Sequence, residues 1–232
     1  GVGNIDIVVN ELDALVNIDF ETREIKDNIT KLNFIRIGTS GSLQKEIDVN
    51  SFVISSKSIG LDNLLYFYQN SNQIVNSEIT KELNSFLEMD HGKVIPYVVD
   101  ASENLLNILN SDKTYAGMTV TSPGFYVPQG RELRLDVFYK NLNEKFSTFS
   151  FNGLKIANYE MESAAMYALS KMLGHQAVTI CLIIANRLNK SANENYRENV
   201  KDLIIYVLNK ISDHEKSIKN IGVLEHLIRL NN

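Results

Sequence analysis

The run "AVTICLIIAN", residues 177–186, constrains the chain more than any other stretch. It is nearly continuous in apolar and β-branched residues, too short to cross a bilayer as a helix, and bounded by polar residues. That pattern fits a strand buried on both faces, which needs helices on both sides of its sheet. The rest of the chain supplies them. "FIRIGTSG", "SFVISSKSIG", "KVIPYVVDA" and "YAGMTVTS" read as further strands. "IDIVVNELDALVNID" sets Ile5, Val8, Val9, Leu12, Leu15 and Val16 at helical spacing, and "SAAMYALSKML" reads as a buried small-residue helix. "SEITKELNSFLEM" and "SENLLNILNS" open on Ser77 and Ser102, both suited to capping a helix. Two amphipathic helices close the chain, around "ENVKDLIIYVLNKI" and "SIKNIGVLEHLIRL". The expected fold is α/β: a three-layer α/β/α sandwich around a central mixed or mainly parallel sheet, in one domain over residues 1–232.

A chain of 232 residues can bury one sizeable core. A formal net charge of −5 argues against nucleic acid as partner, since phosphate backbones need clustered Lys and Arg. No apolar run reaches the roughly 18 residues a membrane helix needs, and no secretory pattern opens the chain. The single cysteine, Cys181, cannot form an internal disulfide and reads as a small buried hydrophobe, in keeping with a cytoplasmic setting. "GVGN" at the start is a glycine-rich turn of the kind that follows a strand, so the polypeptide is expected to extend upstream of Gly1. His91, His175, His214 and His226 read as surface or helix-cap histidines.

Ligands of open α/β sheets lie outside the carboxyl ends of the strands, and three segments leave strands there with polar residues. In "IRIGTSGSLQ", Arg36 sits within an apolar strand and needs an anionic partner. Gly38 and Gly41, with the hydroxyls of Thr39 and Ser40, can cradle a phosphate; a strand-end salt bridge followed by an ordinary turn fits the same residues. "TSPGFYVPQGRELR" combines Phe125, Tyr126, Gln129 and Arg131 in one loop, able to stack on a planar heterocycle and bond its edge, or to be a plain surface loop. "IANYEMES" carries Glu160 and Glu162 around Met161. If the helix starts only near Ser163, both acids face the crevice and suit the cis hydroxyls of a ribose; acids at a helix start also complement its dipole. No G-x-G-x-x-G follows a strand, so a dinucleotide-binding domain fits poorly.

Taken in order, "RIGTSGSLQ", "FYVPQGR", "NYEMESAAMYAL" and "IIANR" resemble the motifs of the nucleoside phosphorylase superfamily, in particular its uridine phosphorylase branch. "GNIDIVVNEL", with Ile7, Glu11 and Leu12, is similar to the family's early signature. The resemblance implies a nucleoside phosphorylase-like fold and cleavage of uridine by inorganic phosphate as co-substrate, in pyrimidine salvage, with no cofactor and no metal. It implies phosphate contacts from Arg36 and Thr39, a ribose segment in Glu160, Met161 and Glu162, base stacking on Phe125, and uracil recognition by Gln129 and Arg131. Ile184 and Arg187 would close and support the base pocket, and Ser40 and Gly41 complete the substrate set. Catalysis would fall to Arg131, Gln129 and Glu162. Purine-specific relatives usually carry an aspartate where this chain has Asn186, which favours a pyrimidine; a purine phosphorylase, a nucleosidase or a nucleoside-binding paralogue without turnover are the alternatives. The family's glycine-rich phosphate loop, two further arginines and a histidine lent across a dimer are not matched in this sequence. The implied assembly is a homodimer or a hexamer of dimers.

Overall fold

The apolar run around Cys181 forms the longest strand of the sheet, and its neighbours explain why it is apolar throughout. The computed structural model describes residues 1–89 and 94–230, with side chains as far as residue 219. Its strands are β1 (Asn33–Ser42), β2 (Phe52–Gly60), β3 (Tyr97–Asp100), β4 (Thr114–Thr121), β5 (Ser150–Phe151), β6 (Leu154–Glu160), β7 (Gln176–Asn186) and β8 (Ser191–Ala192). Its helices are α1 (Val2–Asn17), α2 (Ser77–Leu87), α3 (Glu103–Leu109), α4 (Leu142–Thr148), α5 (Ser163–Met172) and α6 (Arg197–Leu230). The sheet runs β3-β2-β4-β6-β1-β7-β8 and is mixed: β1 is parallel to β7, and β4 is parallel to β2 and β6, while β1–β6 and β2–β3 are antiparallel. Pairing of Phe52–Ile54 with Ile180–Leu182 joins β2 to β7 as well, so the path β2-β4-β6-β1-β7 closes on itself. Closure leaves those five strands without free edges.

Three apolar layers cover the sheet. Val9 of α1 and Ala164, Tyr167, Ala168 and Leu169 of α5 pack with Tyr97 and Val99. Leu105 and Leu109 of α3 and Leu203 and Val207 of α6 pack on Ile54, Val178, Ile180 and Leu182. Ile79, Leu83 and Leu87 of α2 and Phe146 of α4 close over Ile59, Met118, Val120 and Ile156. A central mixed sheet between helices, as expected, is therefore the architecture. A belt of side-chain bonds also crosses four strands: Asn158 donates to Ser40 (2.8 Å), and Thr119 bonds both Asn158 (2.7 Å) and Ser55 (2.6 Å).

Several local expectations change. Ser102 caps α3 as read, but α2 is capped one residue early, by Asn76 accepting the Ile79 N–H at 3.2 Å. "GVGN" is the first turn of α1 rather than a strand-exit turn, with Gly1 as its N-cap. Of the helical apolar set of α1, Val9 is buried, whereas Val8, Leu12 and Leu15 face outward together with Ile7. The two closing helices are one, α6. His175 is neither a surface nor a cap residue: it is buried, its Nδ1 accepts the Leu32 N–H at 3.2 Å, and its Nε2 lies 3.0 Å from Asp13 Oδ1. His214 lies along α6, half-buried; His91 and the side chain of His226 fall outside the described residues. Among the described residues no helix is long and apolar enough to cross a membrane.

Where β2 and β7 part beyond the Ile54–Ile180 pair, toward Ser55 and Thr179, a side chain takes over from the ladder. The Tyr167 hydroxyl accepts the Thr179 N–H and donates to the Ser55 carbonyl, both at 2.7 Å. Tyr167→Phe leaves both backbone groups buried and unpaired, which costs about 1–3 kcal/mol each. Denaturant unfolding should show a loss of roughly 2 kcal/mol or more; a loss below about 0.5 kcal/mol would mean that the hydroxyl does not bridge the strands.

Candidate active site

β6 ends at Glu160 and α5 begins at Ser163, so the two glutamates fall on the strand end and the helix N-cap rather than within a helix. Glu160 is only 4% exposed. Its Oε2 accepts the backbone N–H groups of Glu162 (2.8 Å) and Ser163 (2.9 Å), so a side chain from the preceding strand satisfies the orphan donors of α5. Its Oε1 accepts the hydroxyl of Thr121 at the end of β4, and that oxygen in turn accepts the Ala164 N–H at 2.9 Å. Arg36 reaches across from β1. Its Nη1 lies 3.3 Å from Glu160 Oε2, and its Nη2 donates to Glu162 Oε2. The guanidinium lies directly over Gly38, where an added Cβ would sit 2.7 Å from Nη1 and push the guanidinium off its present position. The amino group of Gly1 is 2.8 Å from the other Glu162 oxygen.

Burial pushes the Glu160 pKa up, with Arg36, Thr121 and the Glu162 N–H opposing. For Glu162 burial acts the same way but is outweighed, chiefly by Arg36, and its carboxyl is held below the ordinary range. Burial also opposes the Arg36 charge, but Cys181 and the two glutamates reverse this and raise its pKa. Cys181 itself is pushed up to about 11 by burial and is a neutral thiol at neutral pH, so the charge compensation comes from the carboxylates.

The second cluster forms on the loop after β4. Tyr126 O accepts the N–H groups of Gln129 and Arg131, both at 2.9 Å, and Gly130 between them has φ +70°. A Cβ at Gly130 would lie 2.5 Å from Asn143 Nδ2, which donates to Gln129 O at 3.1 Å. The turn brings both side chains to one point. Gln129 is buried, and its Oε1 accepts from Arg131 Nη1 at 2.6 Å and from Arg187 Nη2 at 2.8 Å. Arg187 Nη1 also donates to Gln129 O at 2.6 Å. Arg131 stacks 3.9 Å from the Phe125 ring centre, and Arg187 lies 4.9 Å from that of Tyr159. Phe125 remains 51% exposed.

The structure thus gathers Arg36, Glu160 and Glu162 at one place and Phe125, Gln129, Arg131 and Arg187 at another. The two groups flank the carboxyl end of β6, where Tyr159 and Glu160 are consecutive. The loop carrying Gln129 is tied there by Ser122 N–H on Glu160 O, at 2.9 Å. Gly41 sits under the second group, where an added Cβ would lie 3.8 Å from Arg187 Nε. Met161 lies half-buried between the two acids, and Thr39 is half-buried with no side-chain hydrogen bond among the described residues. Two expected ligand residues point elsewhere. The Ser40 hydroxyl is committed to Asn158 within the belt, and Ile184 packs against the α3–α6 layer. Glu160 is committed to the α5 cap and Arg36. A cavity of about 1100 Å³ lined by Leu61, Met89, Pro128, Gly130, Phe138 and Tyr139 opens behind the Val127–Gln129 turn; neither set of charged groups lines it. Thr121, Asn143 and Asn158 hold these clusters in place, yet no local pattern in the sequence marks them. Among the described residues no cluster could hold a metal ion.

Arg36→Met strips the buried Glu160 of its counter-charge, which typically costs about 3–5 kcal/mol. The Glu160 pKa, already raised, then rises further above its unfolded value. The folded form then takes up its proton at a higher pH than the unfolded chain, so the penalty is greatest above the folded pKa and shrinks as pH falls through it toward the unfolded value. Urea unfolding of both proteins at pH 7 and pH 5 should show the gap narrowing on acidification; a gap independent of pH would mean that Arg36 does not neutralise Glu160.

The chain is similar to known proteins in sequence and in fold. Residues 16–212 match the family model described as the phosphorylase superfamily. A uridine phosphorylase of Thermococcus kodakarensis is 26% identical over 161 residues, 67% of this chain and 49% of that protein. The Escherichia coli uridine phosphorylase is 27% identical over 158 residues, covering 66% and 53%. The chain spans about half the length of the curated relatives it matches. Among solved structures, a Trypanosoma brucei nucleoside phosphorylase described as showing uridine phosphorylase activity superposes with a TM-score of 0.79 at 25% identity, over 92% of this chain and 77% of that one. With a matching family model over most of its length and this fold, the chain belongs to the phosphorylase superfamily.

Proposed function

We propose that this chain carries the site for phosphorolysis of uridine to uracil and ribose 1-phosphate, a step of pyrimidine nucleoside salvage. The observation that carries the proposal is the fixed orientation of Gln129. Two guanidiniums hold its amide oxygen, so its NH₂, which has no partner among the described residues, is left for a ligand acceptor. A uracil carbonyl is such an acceptor, and Phe125 supplies an exposed ring beside it. A nucleoside straddling the end of β6 sets its base there and its sugar at Glu162, with Arg36 and Thr39 offered to phosphate. Inorganic phosphate attacks the anomeric carbon as the bond to the base nitrogen breaks and its electron pair leaves with the base. Charge that builds on the base oxygens meets the Gln129 and Arg131 donors, each worth roughly 3–4 kcal/mol when preorganised. The chemistry needs no covalent enzyme nucleophile, no metal and no cofactor.

The purine alternative lacks its group. Asn186 is buried and fully engaged: it donates to Gln44 O (2.8 Å) and Ile47 O (2.9 Å) and accepts from the N–H groups of Leu188 (3.0 Å) and Asn189 (2.9 Å). Nothing of it remains for a purine ring nitrogen. The outward apolar residues of α1, Ile7, Val8, Leu12 and Leu15, support assembly into at least a homodimer.

Product analysis tests the proposal. Incubation with uridine should release uracil only when phosphate is present, and inosine should be spared. Release of uracil without phosphate would make the protein a nucleosidase, and hypoxanthine from inosine alone would make it a purine enzyme. Glu162→Ala should cut kcat/KM on uridine about 10- to 100-fold more than on 2′-deoxyuridine, the worth of a hydrogen bond to a charged group. Equal losses on both sugars would remove Glu162 from the ribose.

A further inference from the structure

The cavity of about 1100 Å³ behind the Val127–Gln129 turn has no part in the nucleoside reading, and the charged groups of that cleft do not line it. Its size lies at the upper end of small-molecule pockets, which run to roughly 1,000 Å³. Leu61 belongs to the core layer under α2 and α4, and Tyr139 and Leu142 pack against that layer, so the floor is apolar. Pro128 and Gly130 form the wall toward the base loop. Two lining residues carry polar atoms that nothing meets: the Tyr139 hydroxyl and Asn143 Oδ1 are shielded from solvent and make no hydrogen bond. Buried polar groups are nearly always paired in folded proteins, and an unpaired one is costly. The phenol is a donor and the amide oxygen an acceptor. Asn143 Nδ2 is already committed to Gln129 O at 3.1 Å, which leaves Oδ1 as the end without a partner. Among the described lining residues Glu132, Asp136 and Glu144 outnumber the one cation, Lys140, so the surround repels an anion.

We propose that this cavity is a second ligand site, separate from the nucleoside cleft, for an uncharged and mainly apolar molecule with a carboxamide head. The head offers an acceptor to the Tyr139 hydroxyl and an N–H to Asn143 Oδ1, and its body lies on Leu61 and Leu142. The occupant also bears on the first site. Bonded to Asn143 and packed on Pro128 and Gly130, it holds the turn that sets Gln129. On the nucleoside reading above, occupancy therefore strengthens uridine binding, and by linkage uridine strengthens the binding of the occupant by the same factor.

Isothermal titration at pH 7 with three probes of one shape tests this: 2-naphthamide, methyl 2-naphthoate, which keeps the acceptor but lacks the N–H, and the anion 2-naphthoate. The amide should bind about five- to tenfold tighter than the ester, the worth of one hydrogen bond, and the anion should bind weakest. Tyr139→Phe should weaken amide binding by about the same factor. Circular dichroism melts identify a variant that has unfolded, and the ranking on the wild type stands without it. Saturating uridine should tighten amide binding by about fivefold. Equal binding of the three probes, or binding of none, would overturn the pocket, and displacement of the amide by uridine would place it in the nucleoside cleft and overturn the second site. Amide affinity unchanged by bound uridine would overturn the coupling through Asn143. A protein that binds the amide with the expected ranking but binds no uridine would overturn the nucleoside reading and leave the second pocket standing.

Discussion

A nearly solvent-free carboxylate at the end of β6 organises the site. Ionised Glu160 cannot persist there without compensation, and the structure compensates it from three elements: the first N–H groups of α5, the hydroxyl ending β4, and the guanidinium of β1. Each bond that neutralises Glu160 therefore also fixes a piece of the pocket wall. Capping from the preceding strand delays α5 until Ser163, and that delay turns Glu162 outward while Glu160 turns in. The two acids that look equivalent in sequence sit differently: Glu160 is buried in the cap of α5, while Glu162 is partly exposed and pairs with Arg36 and the Gly1 amino group.

The base side follows the opposite electrostatic logic. Around Arg36 the charges balance internally. Around Gln129 they do not, and both guanidiniums are spent on orienting one neutral amide. On the proposed uridine reading, a cluster left positive where the base would gather charge suits a reaction that breaks a bond heterolytically toward the base. Gly38 and Gly130 make both clusters possible by removing a Cβ from the path of Arg36 and of Asn143.

Much of this could be read from residues alone. The β-branched runs gave the strands because burial on both faces leaves a local signature, and the "EMES" and "FYVPQGR" segments located both clusters. The closure of β2 on β7 left no such trace, since it depends on three residue pairs far apart in sequence. The bond that Ser40 accepts from Asn158 was not legible either, because a hydroxyl beside glycines looks the same whether it meets a ligand or a neighbouring strand. Arg36 as a phosphate ligand and Arg36 as a strand-end ion pair were both open from sequence, and the structure displays the ion pair. His175 read as peripheral because its partners, Asp13 and Leu32, lie on distant parts of the chain.

The two clusters share a strand end, and the account stands on their meeting in a single ligand. A crystal structure of the protein soaked with uridine and sulfate would test this most directly. The account predicts one nucleoside straddling the end of β6, with a base carbonyl on Gln129 Nε2, the 2′-hydroxyl on Glu162, and sulfate on Arg36. A nucleoside seated elsewhere, or one touching only one cluster while the other stays closed, would contradict it.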